Sequence, residues 1–130
     1  MGTNAFTNYL ENKVLAYVFS GTAYSSPSAN LYVGLFTSSP GETGGGTELS
    51  GNGYVRQLVA LTTTNSSSTN ASAIEFPVAT ASWGTITSAA IFDASTGGNM
   101  LAYSDLTASK TIASGDVFRI PANNLTVTLE

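Results

Sequence analysis

The chain contains no cysteine and no histidine. Without cysteine there are no disulfides, no thiolate metal ligands and no thiol nucleophile. Without histidine the commonest general base and the commonest imidazole metal ligand are also gone. Charge is scarce as well: Asp, Glu, Lys and Arg make up 9 % of 130 residues, against about 25 % in ordinary soluble domains. Only Lys13, Arg56, Lys110 and Arg119 are basic, and they are scattered. No basic patch exists to neutralise phosphates, which argues against nucleic-acid binding. No apolar run approaches the roughly 20 residues of a membrane span. The opening residues 1–6 lack a basic start followed by an apolar stretch, so they do not read as a secretory signal. Met1-Gly2 resembles the start of a myristoylation signal, but Phe6 stands where that signal wants Ser or Thr.

Ser, Thr, Asn and Gly fill the place of the missing charge, and hydrophobic residues reach 42 %. That level supports a packed core, and disordered chains combine low hydrophobicity with high net charge. The length suits one domain, residues 1–130. A weakly charged surface fits a protein buried in an assembly, because the centres of interfaces are depleted in charge. The plainer reading is a β domain with a Ser/Thr-rich surface.

One segment has a helical period. Phe6, Leu10, Val14 and Tyr17 share a face, Asn8 with Glu11 three residues on fits an N-cap, and Gly21 fits a stop. The helix is expected over about 6–20. It either covers one end of a sheet or presents a face to a partner. From about residue 30 the pattern becomes that of strands. Leu31-Tyr32-Val33-Gly34-Leu35-Phe36-Thr37 reads as a strand covered on both sides, and residues 38–53, rich in glycine, as a long loop. Residues 54–61 form the next expected strand, residues 62–72 a polar low-complexity linker, and residues 73–76 a short strand ended by Pro77. Residues 81–93 read as one long strand or as a strand with a bulge at Gly84. A Gly-rich turn joins it to a hairpin partner at residues 100–106. Brief strands follow at 110–112 and 117–121. The final one alternates Leu125, Val127 and Leu129 against Thr126 and Thr128 and is expected to pair inside a sheet. The sum is an all-β fold, a jelly-roll-like antiparallel β-sandwich of about eight strands over 30–130 with one N-terminal helix.

The remaining route to catalysis would be paired carboxylates. The eight acids are Glu11, Glu42, Glu48, Glu75, Asp93, Asp105, Asp116 and Glu130, and most sit in or beside expected turns, where Asp caps backbone. Asp93, Asp105 and Asp116 lack the close spacing of a calcium loop. Gly44-Gly45-Gly46 has no following Lys-Ser/Thr and is no phosphate loop; it reads as a flexible loop or as a segment that orders against a partner. Trp83, the single tryptophan, reads as core or sheet edge in preference to a ligand platform. The six tyrosines are spread out, which weakens a carbohydrate-binding reading. Arg56, alone in an apolar strand, either meets a carboxylate such as Glu75 or faces solvent. No catalytic, cofactor-binding or metal-ligating residues are expected, no cofactor, and no enzymatic activity.

Several segments resemble, in order and over nearly the whole chain, a family of small tailed-bacteriophage virion proteins often labelled tail-fibre. They are Phe6-Thr7-Asn8-Tyr9-Leu10-Glu11-Asn12-Lys13, Leu31-Tyr32-Val33-Gly34-Leu35-Phe36-Thr37, Gly53-Tyr54-Val55-Arg56-Gln57, residues 76–84, Ile91-Phe92-Asp93-Ala94-Ser95-Thr96-Gly97-Gly98, Leu106-Thr107-Ala108-Ser109-Lys110 and Gly115-Asp116. In size and expected architecture the chain is also similar to jelly-roll cement proteins of phage heads. The resemblance implies a virion structural protein assembled in the host cytoplasm. The favoured expectation is capsid cement, bound to the major capsid protein and to copies of itself. Residues 1–6, 38–53 and 62–72 would then serve as arms over neighbouring subunits. The alternatives are a tail-fibre or baseplate module with tail proteins as partners, and a carbohydrate-binding module. Nucleic acid and membrane are not expected partners.

Overall fold

The computed structural model describes residues 4–128. Among these are one α-helix, α1 (Asn8–Ser20), and eleven strands. The strands are β1 (Asn4–Phe6), β2 (Tyr32–Ser38), β3 (Thr47–Glu48), β4 (Gln57–Leu58), β5 (Leu61–Thr64), β6 (Ser67–Asn70), β7 (Ile74–Glu75), β8 (Gly84–Phe92), β9 (Met100–Ile112), β10 (Arg119–Ile120) and β11 (Thr126–Thr128). The fold is thus mostly β with a single helix. Every pairing is antiparallel. A six-stranded sheet runs β1-β9-β8-β2-β3, with β4 also on β2. A three-stranded sheet runs β11-β6-β5, and β10 pairs with β7.

The helix starts later than its periodicity implies. Phe6 belongs to β1, opposite Ala102 on β9, and is not on the helix. The N-cap is Thr7, not Asn8. The Leu10 N–H donates to Thr7 Oγ1 at 3.3 Å. The same hydroxyl donates to the Met100 carbonyl at 2.6 Å, and the Thr7 N–H donates to the Leu101 carbonyl at 2.9 Å. A buried threonine therefore caps the helix and fixes its start to β9. Asn8 instead gives its backbone N–H to the Glu42 carbonyl. Gly21 ends the helix in the left-handed region as expected, at φ 66°.

The expected β8–β9 hairpin is present, and residues 110–112 are the end of β9, not a separate strand. The bulge is displaced: Gly84 opens β8, and the register breaks between Ile86 and Ser88. Ser88 faces Asp105 and Ile86 faces Lys110, so two steps along β8 oppose five along β9. The expected strand over 54–61 is confined to β4 and the start of β5. The expected linker 62–72 is a hairpin, β5–β6, turning at Asn65 with φ 55°. β11 pairs with β6, with Leu125 buried just before it; Leu129 and Glu130 lie outside the described residues.

One face of the large sheet contributes Val33, Leu35, Ile86, Ala89, Ile91 and Leu101 to the main core. Against them pack Ile74 and Ile120 from β7 and β10, and Leu125 ahead of β11. Tyr54, Phe76, Phe118 and Trp83 form a chain of ring contacts within it, 5.7–6.1 Å between centroids. Trp83 is a core residue, its indole N–H donating to the Asn52 carbonyl at 2.9 Å. The other face of the large sheet buries a smaller set, Phe36, Ala90, Phe92 and Met100.

Candidate interaction surface

The acids expected in turns are used as structural acceptors. Asp93 accepts from the Asn99 backbone N–H at 2.7 Å and from its side-chain amide at 3.0 Å, closing the β8–β9 turn. Asp116 accepts from the Ala113 N–H at 3.0 Å, and Asp105 from the Ser88 hydroxyl at 2.7 Å. Glu75 meets Arg119 at 3.8 Å with both side chains more than half exposed. Among the described residues no three Asp or Glu side chains are grouped to hold a metal, and no helix is long and apolar enough to cross a membrane.

Glu48 is different, and its role is invisible in the sequence pattern. It is the carboxylate that Arg56 meets, in place of Glu75. Arg56 Nε and Nη2 each donate to a Glu48 oxygen at 2.8 Å, a two-pronged pair. Arg56 Nη1 donates to the carbonyls of Ala94 and Gly97 at 3.0 and 2.9 Å, and the guanidinium lies 3.5 Å over the Phe92 ring. The Arg56 side chain is 9 % exposed and that of Glu48 23 %. Burial alone would lower the Arg56 pKa, but the bonds and charge of Glu48 outweigh it and hold the group above its ordinary value. The Tyr54 hydroxyl donates to Glu48 at 2.6 Å and accepts from the Leu35 N–H at 3.0 Å. It fills the gap on the β2 edge between β3 and β4. Burial, then the bond to Glu48, pushes the Tyr54 phenol well above its usual range, so it stays a donor. Gly34 makes the approach possible: a Cβ there would lie 2.8 Å from a Glu48 oxygen. Gly34, Tyr54, Arg56 and Phe92 come from three of the segments that carry the family resemblance. With Glu48 they meet in one hydrogen-bonded clasp.

Two of the three expected arms carry regular structure and yet are largely exposed. Residues 38–53 hold β3 and the clasp carboxylate, and within them Pro40 is buried and Glu42 receives the helix N-terminus. The Gly44-Gly45-Gly46 run belongs to this docked loop, with Gly46 close against Pro40. Residues 62–72 form the β5–β6 hairpin. Of residues 1–6, Asn4–Phe6 is β1 and the first three lie outside the described residues.

What the surface does offer is the second half of α1. Tyr9 and Leu10 pack on the main core. No helix residue is buried, and the outer and C-terminal residues are apolar: Leu15, Tyr17, Val18 and Phe19 are 55, 59, 61 and 80 % exposed. Tyr17, expected on the inward stripe, is exposed. The covering role therefore holds for the first half of the helix only. A second feature is a pocket of about 310 Å³ where β9 parts from the segment carrying β10, lined by Leu106, Val117, Phe118, Ile120 and Pro121 with Lys110 and Arg119. The three extra residues of the β9 bulge open it.

A family model described as "Podophage GP4 fiber I protein gp80" matches residues 5–128, and the chain belongs to that family, one of tailed-phage virion structural proteins. No curated protein matches the chain.

Proposed function

We propose that this member of the podophage fibre family is a non-enzymatic structural module of the tail fibre, held in the virion by protein–protein contacts. The observation that carries the reading is the family's fibre description over residues 5–128. The surface supports it: a sparsely charged β body presents an apolar helix end, which is the chemistry of a docking surface. Its partners in this reading are tail or baseplate proteins and copies of itself, with neither nucleic acid nor membrane.

Capsid cement is the second reading. It draws on the two-layer arrangement around the main core, which we take as a jelly-roll-like sandwich. It calls for arms that lie over neighbouring capsid proteins; residues 38–53 carry β3 and residues 62–72 carry the β5–β6 hairpin, with residues 62–66 exposed. Cryo-electron microscopy of intact particles, with copy number from quantitative mass spectrometry, separates the two. A fibre module appears on the tail in tens of copies, and its deletion abolishes adsorption while heads stay sound. Hundreds of copies arrayed over the head, with fragile heads on deletion, would overturn the fibre assignment.

A further inference from the structure

The tip of α1 and the β9–β10 pocket are complementary surfaces on one chain. We propose that the tip of one copy seats in the pocket of a second copy, so that copies join head to tail. Phe19 is 80 % exposed, so the tip does not fill the pocket of its own chain. The pocket walls are mixed: Leu106, Val117, Phe118, Ile120 and Pro121 give an apolar patch beside Thr107 and Asn124, and Val117 is itself 39 % exposed. At about 310 Å³ the pocket lies at the small end of ligand cavities, suited to a bulky side chain or two.

Charge sets the orientation. The C-terminal end of a helix carries about half a negative elementary charge from its unpaired carbonyls. No basic residue in the last turn of α1 offsets it. The pocket carries Lys110 and Arg119, half of the four cations in the chain. Lys110 stands beside the β9 bulge, and the contact of Arg119 with Glu75 is long and solvent-exposed. An apolar tip with a negative end therefore meets a pocket that pairs an apolar patch with two cations. Tip and pocket are different patches, so the contact is heterologous and repeats along a line or closes a ring.

Sedimentation of the purified full chain tests this independently of where the protein sits in the virion. Wild type forms species larger than dimers as concentration rises. Phe19→Ser removes the ring that fills the pocket and weakens association about thirtyfold. Val117→Glu places a negative charge in the pocket and does the same. Both positions are exposed, and unchanged thermal melts verify that each variant folds. Mixing the two restores one good interface, the Val117→Glu tip in the Phe19→Ser pocket, and gives heterodimers that grow no further. A wild type that stays monomeric at millimolar concentration overturns the proposal. So does a Val117→Glu variant that self-associates like wild type, which would mean that helix pairs with helix.

Discussion

Replacing Arg56 by alanine removes four hydrogen bonds and a cation stacked on Phe92 in one step. Glu48 would keep the Tyr54 hydroxyl as its donor. Breaking a buried pair by deleting one partner costs about 3–5 kcal/mol, because the other charge is left behind. Glu48 is 23 % exposed and regains some water, which puts the expected loss near the lower end, about 3 kcal/mol. That is a large share of the roughly 5–15 kcal/mol that holds a domain of this kind folded. At about 4 °C per kcal/mol for this size, the melting temperature falls by about 12 °C. Urea titration and calorimetry measure it, and a double-mutant cycle with Glu48→Ala isolates the pair. The double variant should be more stable than the sum of the single losses predicts, by at least about 1.5 kcal/mol. Arg56→Lys should not restore the loss, since a lysine cannot bond both Glu48 oxygens and two carbonyls in one plane. A loss under about 1 kcal/mol for Arg56→Ala, or additive single effects, would refute the clasp as a stability element.

Asn70→Ala should cost about 3 kcal/mol in chemical denaturation, because the fully buried amide donates to the Ser72 and Pro121 carbonyls and accepts from the Leu125 N–H, three bonds with no water to replace them. Thr7→Val keeps the shape but loses both the helix cap and the bond to Met100; expect a loss of about 1–2 kcal/mol and faster amide exchange in the first turn of α1. The raised pKa of Tyr54 makes stability pH-dependent on the alkaline side. Its contribution is complete below about pH 10, where the unfolded phenol ionises, and declines above that by about 1.4 kcal/mol per pH unit while the folded phenol keeps its proton. Urea midpoints measured from pH 8 to 11.5 should show that slope reduced in Tyr54→Phe, and an unchanged slope contradicts the assignment.

The parts of the fold legible in sequence are those where a local rule and the tertiary environment agree. The β8–β9 hairpin has apolar strands and a Gly-rich turn closed by Asp93, all within one short stretch. Trp83 beside Gly84 reads as core or sheet edge, and the structure buries it in the core. The β5–β6 hairpin escapes because Thr62, Thr63, Ser67 and Ser68 show no apolar alternation; its threonines are nonetheless strand formers, and Asn65 tolerates the left-handed turn. Asn70 hides in the same polar run although it is one of the most buried side chains. Glu48 is illegible for another reason. Its partners Tyr54 and Arg56 are near in sequence, but the site closes only when Phe92 and the Ala94 and Gly97 carbonyls arrive from the far hairpin. Spacing alone cannot tell Glu48 from Glu75 as the partner of Arg56.

The helix shows where periodicity misleads about purpose. An isolated 13-residue helix is marginal in water and depends on tertiary anchoring. Here the anchors are at its start: the Thr7 cap, the Asn8 bond to the Glu42 carbonyl, and the packing of Tyr9 and Leu10. Leu15, Val18 and Phe19 come after the anchors and bury little surface in the monomer, so they contribute little to its folding free energy. An apolar period in sequence reports that a face avoids water in the functional state, not that it does so within one chain. With charge at 9 % of the residues, the body has little means of keeping such a face dispersed by repulsion. In the fibre-module reading proposed above, assembly supplies the cover that repulsion does not, and the exposed helix end is the surface a neighbour would bury.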